Sequence, residues 1–564
     1  MSFKNIGKVK LAILYIAVTF LTSSLFYRYI NSDLWLALII VSLLFLWVFL
    51  KEGIEFSIFL VGIFVIGIII NINFYNIKVN NVEKIRIERL YSYGGLGNIN
   101  SRKVFLKGDI KGFSEGQEIL SKGEFKKVLD KETGTIGEFK IESSKIVDKS
   151  IFTKLSRIKE DFKKKLEKNI GMRKASLVTS IVFGRDSFLD SEDEEDMKKF
   201  GIIHALSVSG LHIGVIFLIF KMLFKEKVSL CITFLYVIMT GVAFSSVRAF
   251  IMLFCASLGI LVKKRYNPLG GIALSAIIIF FMAPYSIFTI GFLLSFGATL
   301  GIILFNKRLN RKIFKLPKLI RETVSISLSA QIFTIPILII FFNELSIGFI
   351  IGNLILIPII NLILVLGIIL IVAVKIEYIF DFISFIILNV VDFLDSIMSL
   401  LDRFTPSLIN LNENYGYFYI TLIITYYLYK RGVKKIIVLP ISYILFTCIS
   451  LYSINPKILY RREGALILSY KGDRVVLADK SNKIRSIKDK TKASRGYTEF
   501  REINIKDECY LKKDSNNYIL TLYGDKYYLN MTRDNKNKEE YDIINFKDKD
   551  VNEIIIIGNK LLFK

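Results

Sequence analysis

The chain has 564 residues, 53% of them hydrophobic, with a formal net charge of +26 and a mean hydropathy of +0.49. Apolar runs of about 17–25 residues recur along it, each long enough to cross a bilayer, which excludes a soluble enzyme and identifies a polytopic membrane protein. The four cysteines, at 231, 255, 448 and 509, form no C-x-x-C pair, which leaves no support for a disulfide framework or a zinc knuckle.

In chain order, three spans come first, near 11–27, 34–50 and 56–73. The opening MSFKNIGKVK carries no small-residue cleavage site and reads as an uncleaved anchor. Lys4, Lys8, Lys10 and Lys51 set the orientation: the N-terminus is cytoplasmic and the segment after the third span lies outside. That segment, 76–150, holds IRIERL, KVFLKGDI, EILSKGEFKKVL and GEFKIESSKIV, short alternating runs between Gly-rich or charged turns. A five-stranded OB-like barrel fits this pattern. Its sparse aromatics leave two uses open, stacking on a single strand or only packing against the membrane domain.

Residues 151–170 form an amphipathic helix with a cationic face, expected to lie along the membrane surface. Arg173–Gly184 is too short to cross and reads as re-entrant or interfacial. The acidic run Ser191–Asp196 is helix-start chemistry, capped by Asp190 or Ser191. From 201 to 455 the chain is almost continuously apolar, with spans near 201–223, 229–245, 247–263, 268–283, 286–306, 321–342, 346–373, 376–401, 417–429 and 436–454. Whether 346–373 is one span or two broken ones stays open. Lys307, Arg308, Arg311, Lys312, Lys315 and Lys318, then Lys430, Arg431, Lys434 and Lys435, mark the cytoplasmic side. The tail, 456–564, contains GALILSYKGDRVVLAD, NYILTLYGDKYYLN and NEIIIIGNK, a β-rich region placed outside by the last crossing.

The domains expected are therefore 1–75 (transmembrane), 76–150 (OB-like), 151–200 (interfacial), 201–455 (a transmembrane channel domain) and 456–564 (β-rich). The fold class is a polytopic α-helical membrane protein with an extracytoplasmic OB-like domain and a β-rich extracytoplasmic remnant at its C-terminus.

Both histidines of the chain, His204 and His212, fall in one stretch, GIIHALSVSGLHIG at 201–214. Polar groups at membrane depth are costly, which makes this stretch the candidate site. Read as one helix, it sets the two imidazoles about 12 Å apart along the axis and within roughly 80° in azimuth, with Ser207 near the same face. Gly210-x3-Gly214 offers a competing use, close helix packing with a satisfied histidine. Ser209 and His212, three apart, also allow a nucleophile–base dyad, for which the sequence identifies no oxyanion hole. Arg248 at the head of a span is either a snorkelling anchor or a fixed charge. Gln331 and Thr334 beside Pro336 sit at an expected helix break, and Asn353 lies within a span.

The pattern His204-x4-Ser-Gly-Leu-His212, with Gly201 before it, resembles the signature of the ComEC competence family, the inner-membrane channel for transforming DNA. Further elements share the likeness in order: RKASLVTSIVFGR at 173–185, Ser246-Val-Arg-Ala-Phe-Ile-Met252, Pro284 with Gly291-Phe-Leu-Leu-Ser-Phe296, and Ala330-Gln-Ile-Phe-Thr-Ile-Pro336 followed by Asn353 and Pro358. The resemblance covers 170–440, and 76–150 as the family's OB-like domain. It implies a channel for single-stranded DNA, shaped by His204, Ser207, Ser209, Gly210, His212, Arg248, Gln331, Thr334, Pro336 and Asn353. The partners it implies are an external DNA receptor, a cytoplasmic translocation motor and a second copy of the chain. Many family members end in a metallo-β-lactamase-like domain. Here Arg462–Leu468 and Val475–Asp479 resemble its first strands, but no His-x-His-x-Asp-His cluster follows. No nuclease activity, metal or other cofactor is expected. No Gly-x4-Gly-Lys-Ser/Thr loop is present either, so the driving force is expected from a motor or a proton-coupled step. The alternatives are a transporter of another polyanion or envelope component, an intramembrane serine hydrolase, and a copy that no longer takes up DNA.

Overall fold

The computed structural model describes residues 11–91, 94–108, 110, 112–147, 150–184, 189–205, 210–406, 408–452, 455–461, 464–478, 487, 488, 491, 493, 495–506, 508–515, 517–531, 541–546 and 551–563. The chain divides into two compact units, residues 1–334 with 346–408, and 335–345 with 409–564.

The first unit opens with three helices, α1 (Ala12–Tyr29), α2 (Leu34–Glu52) and α3 (Ile54–Tyr75). Five strands follow: β1 (Val82–Tyr91), β2 (Gly94–Ile99), β3 (Arg102–Lys107), β4 (Glu118–Asp130) and β5 (Thr135–Ile146). They close into a barrel in the order β1-β2-β3-β5-β4, with β1 paired to β4. Alternation dictates the closure: Ile85, Ile87, Val104, Leu106 and Phe139 point inward and are buried. The barrel is fixed to the helices through its β4–β5 turn. Lys131 Nζ donates to the Tyr27 carbonyl at 2.8 Å and lies 4.4 Å from the Tyr27 ring. Arg28 pairs with Glu132. Gly134, at φ +77°, lies so close to Tyr285 that a Cβ would come within 2.3 Å of the ring.

The next helices are α4 (Ile151–Ile170), α5 (Met172–Phe183) and α6 (Ser191–Lys199). Asp190 is at the start of α6, its carbonyl accepting from Glu194 N at 3.1 Å. The surface position expected for 151–170 needs correcting in one respect: the apolar face of α4 is turned into protein. Phe162, Leu166 and Ile170 join one core with α5, with α14 (Ile357–Ala373) and with α15 (Glu377–Asp402). Helix α5 is buried at every residue from Ala175 to Phe183.

Four further helices, α7 (Gly210–Leu223), α8 (Glu226–Met239), α9 (Phe244–Leu261) and α10 (Pro268–Met282), lead to a short 3-10 turn at Pro284–Phe288. Then come α11 (Ile290–Lys312) and α12 (Lys318–Phe342), inside which the unit boundary falls. Among the described residues eight helices are long and apolar enough to cross a membrane: α1, α2, α3, α9, α11, α12, the run Phe349–Ala373, and α15. The run Phe349–Ala373, open as one span or two, is one run: α13 (Phe349–Ile351), a π-helical turn at Gly352–Leu356, then α14. Pro358 explains the wide turn, since its missing N–H and its ring do not tolerate a regular α-helical turn before it.

The second unit contains a two-stranded ribbon of β6 (Glu344–Leu345) and β7 (Ile409–Asn410), and the helices α16 (Glu413–Lys430) and α17 (Val438–Tyr452). Among the described residues eleven strands follow, β8 (Lys457–Arg461), β9 (Ala465–Tyr470), β10 (Asp473–Ala478), β11 (Arg495–Tyr497), β12 (Glu502–Lys506), β13 (Cys509–Asp514), β14 (Asn517–Leu522), β15 (Asp525–Asn530), β16 (Asp542–Asn545), β17 (Glu553–Ile557) and β18 (Lys560–Phe563), in two sheets ordered β11-β10-β9-β8-β17-β18 and β12-β13-β14-β15-β16. Leu466, Leu468, Leu511, Leu520 and Ile554 belong to their common core.

Candidate functional site

The stretch 201–214 is not one helix. Helix α6 ends at Lys199, and Gly201 turns the chain at φ +66°. His204 lies in a 3-10 turn, Ile203–Ala205, its Nδ1 3.1 Å from the Gly201 carbonyl. Among the described residues helix α7 runs from Gly210 to Leu223. The single helix expected to carry His204 and His212 on one face is therefore corrected, because His204 lies in a 3-10 turn and His212 in α7. The two rings are nonetheless electrostatic neighbours. Ser207 and Ser209 lie outside the described residues, as do Lys4, Lys8 and Lys10.

Gly201 is required by its surroundings. A Cβ there would fall 2.7 Å from Phe349 Cβ, where Ser346 Oγ also donates to the Lys199 carbonyl at 2.5 Å. Gly201→Ala is expected to cost about 1–3 kcal/mol through backbone strain and contact, lowering the melting temperature of the detergent-solubilised protein. Gly214→Ala, with nothing within 4 Å of its Cβ position, serves as the control and leaves the temperature unchanged or raises it. Equal behaviour of the two variants would remove this explanation. The same contacts split the Gly210-x3-Gly214 expectation: a Cβ on Gly210 would stand 3.4 Å from Ala249 Cβ, while one on Gly214 would meet open space.

His212, 1% exposed, is packed inside. His204, in contrast, is exposed.

Arg248 does not snorkel. It sits in the second turn of α9, only 8% exposed, with its guanidinium turned into the bundle. Its Nε donates to Ser295 Oγ at 2.8 Å, its Nη1 contacts Thr299 Oγ1, and Met252 Sδ lies 3.6 Å away. The other terminal nitrogen would be 3.0 Å from a Cβ on Gly210, which places the guanidinium at the head of α7. Every described partner is neutral. Ser295 and Thr299, not singled out from the sequence, were marked by their i, i+4 spacing on an apolar span.

Helix α12 carries buried polar groups on two faces, Ser325 and Ser329 on one, Ser327 and Thr334 on the other. Asn306 Oδ1 accepts from Ser325 Oγ at 2.8 Å. Asn353, inside the π-helical turn, donates to Ser327 Oγ at 3.0 Å, and Gln331 Oε1 accepts from Thr334 Oγ1 at 2.8 Å. Helix α11 packs closely on the first of these faces, because Gly301 leaves room for the Ser329 carbonyl 2.2 Å from where a Cβ would stand. Pro336 does not break α12, which continues to Phe342. The structure thus brings Gly210 to Arg248 and ties Asn353 to α12; Gln331 and Thr334 bond each other. Among the described residues no group of three or more His, Cys, Asp or Glu is placed to hold a metal ion.

Residues 181–434 match the family model described as competence protein. Over 192 residues, 32% of this chain, the sequence is 31% identical to ComE operon protein 3 of Bacillus subtilis (strain 168). The match spans 24% of that relative, so the chain covers about a quarter of its length. No solved structure matches.

Proposed function

From a chain that carries a competence-protein domain over residues 181–434, we propose a membrane channel that admits single-stranded DNA to the cytoplasm during transformation. The observation that carries this reading is Arg248: a buried cation whose described partners are all neutral is a standing site for an anion, and a nucleic-acid strand supplies a phosphate at every nucleotide. The strand passes Arg248, with His204 near the head of α7, and then the polar face of α12 with Gln331, Thr334 and Asn353. Ser207, Ser209, Gly210 and His212 are assigned to the same passage.

The five-stranded barrel is read as OB-like, since its strand order matches that fold's closed Greek key. It sits where α1 and α3 end and α11 begins. The basic ends of α9 and α11, at Lys263–Arg265 and Lys307–Lys312, lie at the opposite ends of their helices. That charge asymmetry supports an extracytoplasmic barrel and a cytoplasmic N-terminus. An external receptor delivers the DNA, a cytoplasmic motor draws it in, and the chain itself performs no chemistry. Uptake of fluorescent DNA in a strain deleted for this gene tests the reading. Labelled DNA held outside the membrane, and restored to the cytoplasm by the wild-type gene, supports it. Normal uptake by the deletion strain refutes it and favours transport of another polyanion.

A further inference from the structure

Helix α5 poses an unusual problem. Its last nine residues, Ala175–Phe183, are sunk in the protein, and α14 lies against it so closely that a Cβ on Gly367 would meet Val182 Cγ2 at 2.3 Å. The helix stops at Phe183, where Gly184 takes a left-handed φ of 68° and its N–H bonds the Ser180 carbonyl at 2.8 Å. The carbonyls beyond Ser180 have reached the end of the helical ladder, and in an apolar interior each needs a donor from elsewhere.

Two donors come from other helices. Tyr236 of α8 gives its hydroxyl to the Val182 carbonyl at 2.7 Å. The His212 ring of α7, 1% exposed, lies against the backbone of Ile181, whose N–H already belongs to the helix, so the carbonyl is the group within its reach. A third polar group stands close by: Lys159 of α4, 4% exposed, places its ammonium 5.5 Å from the Phe183 ring.

We infer that His212 is a positioning residue: with Tyr236 it caps the buried C-terminus of α5 and thereby fixes α5 against α7 and α8. The second histidine of the stretch then serves architecture, while His204, with accessible surface, stays available to the passage. This inference rests on the transport reading only for its uptake measurement.

The test uses the full-length protein with Cys231, Cys255, Cys448 and Cys509 changed to alanine and Ser180→Cys as a reporter at the end of α5. Ser180 is 0% exposed, so a maleimide labels the parent slowly. His212→Ala is expected to raise labelling about tenfold, because a lost donor of about 1.4 kcal/mol opens the helix end. His212→Gln, whose amide N–H still donates, keeps the parent's protection and restores DNA uptake. Tyr236→Phe is expected to behave as His212→Ala does. If His212→Ala fails to accumulate but His212→Gln does, the capping role is upheld. Equal labelling of His212→Ala and parent overturns the inference, as does His212→Gln being as labelled, as inactive or as poorly accumulated as His212→Ala. The labelling does not depend on DNA, so its outcome stands apart from any failure of the transport reading.

Discussion

Arg248→Gln is expected to lower DNA uptake by about 10- to 100-fold, the range for losing a desolvated charge contact of about 1.4–3 kcal/mol, while the protein stays in the membrane and becomes no less stable. The two halves of that result belong together. A guanidinium buried among Ser295, Thr299 and Met252 has given up hydration without gaining a counter-ion in the described structure, and such a charge strains the resting fold. Glutamine keeps a donor for Ser295 and removes the charge, so folding gains what binding loses. Arg248→Lys is expected to fall between: it retains the charge, but a single ammonium cannot hold Ser295 and Thr299 and still present a planar face to a phosphate. Uptake rates and detergent melting curves of the three proteins check this. A structural arginine would behave oppositely, with Arg248→Gln losing stability and uptake in proportion.

The largest stability effect is expected at Arg173. Its Nη2 pairs with Asp193 at 2.5 Å and its Nη1 with Asp395 at 2.9 Å, joining α5 to α6 and α15. The Asp193 side chain is only 5% exposed, so Arg173→Met leaves a buried carboxylate without its cation. A loss of about 3–5 kcal/mol follows, read as a fall in melting temperature and in accumulated protein. Adding Asp193→Asn removes the stranded charge and is expected to recover part of the loss. Lys174→Met makes a useful contrast, since its partner Asp392 is 52% exposed and an exposed pair contributes only about 0–1 kcal/mol. If Arg173→Met and Lys174→Met cost the same, the network is ornamental.

The helices and the barrel were legible because their signals are local. Apolar length marks a span, and period-two alternation at Ile85, Ile87, Val104 and Leu106 marks an inward strand face. Two kinds of feature were not legible. The stretch 201–214 has helical composition throughout, yet Gly201 is left-handed and pressed against Phe349, and His204 lies in a 3-10 turn. The strong amphipathicity of α4 signals an apolar face but not whether lipid or protein covers it; here α5, α14 and α15 do. The partners of Arg248 lie 47 and 51 residues away, a separation no window of sequence reads. Likewise Tyr236, which reaches Val182 over 54 residues, looked like one more aromatic in a span.

The most direct test of the central claim places a photo-crosslinking amino acid on the passage during uptake. Substituted at Gln331, it is expected to capture labelled DNA in wild-type cells and to lose that product when Arg248 is glutamine. Substituted at Phe382, which is 66% exposed on the outer face of α15, it is expected to capture none. Crosslinks at Phe382 equal to those at Gln331, or none at Gln331 in cells that take up DNA normally, would contradict a strand path along α12.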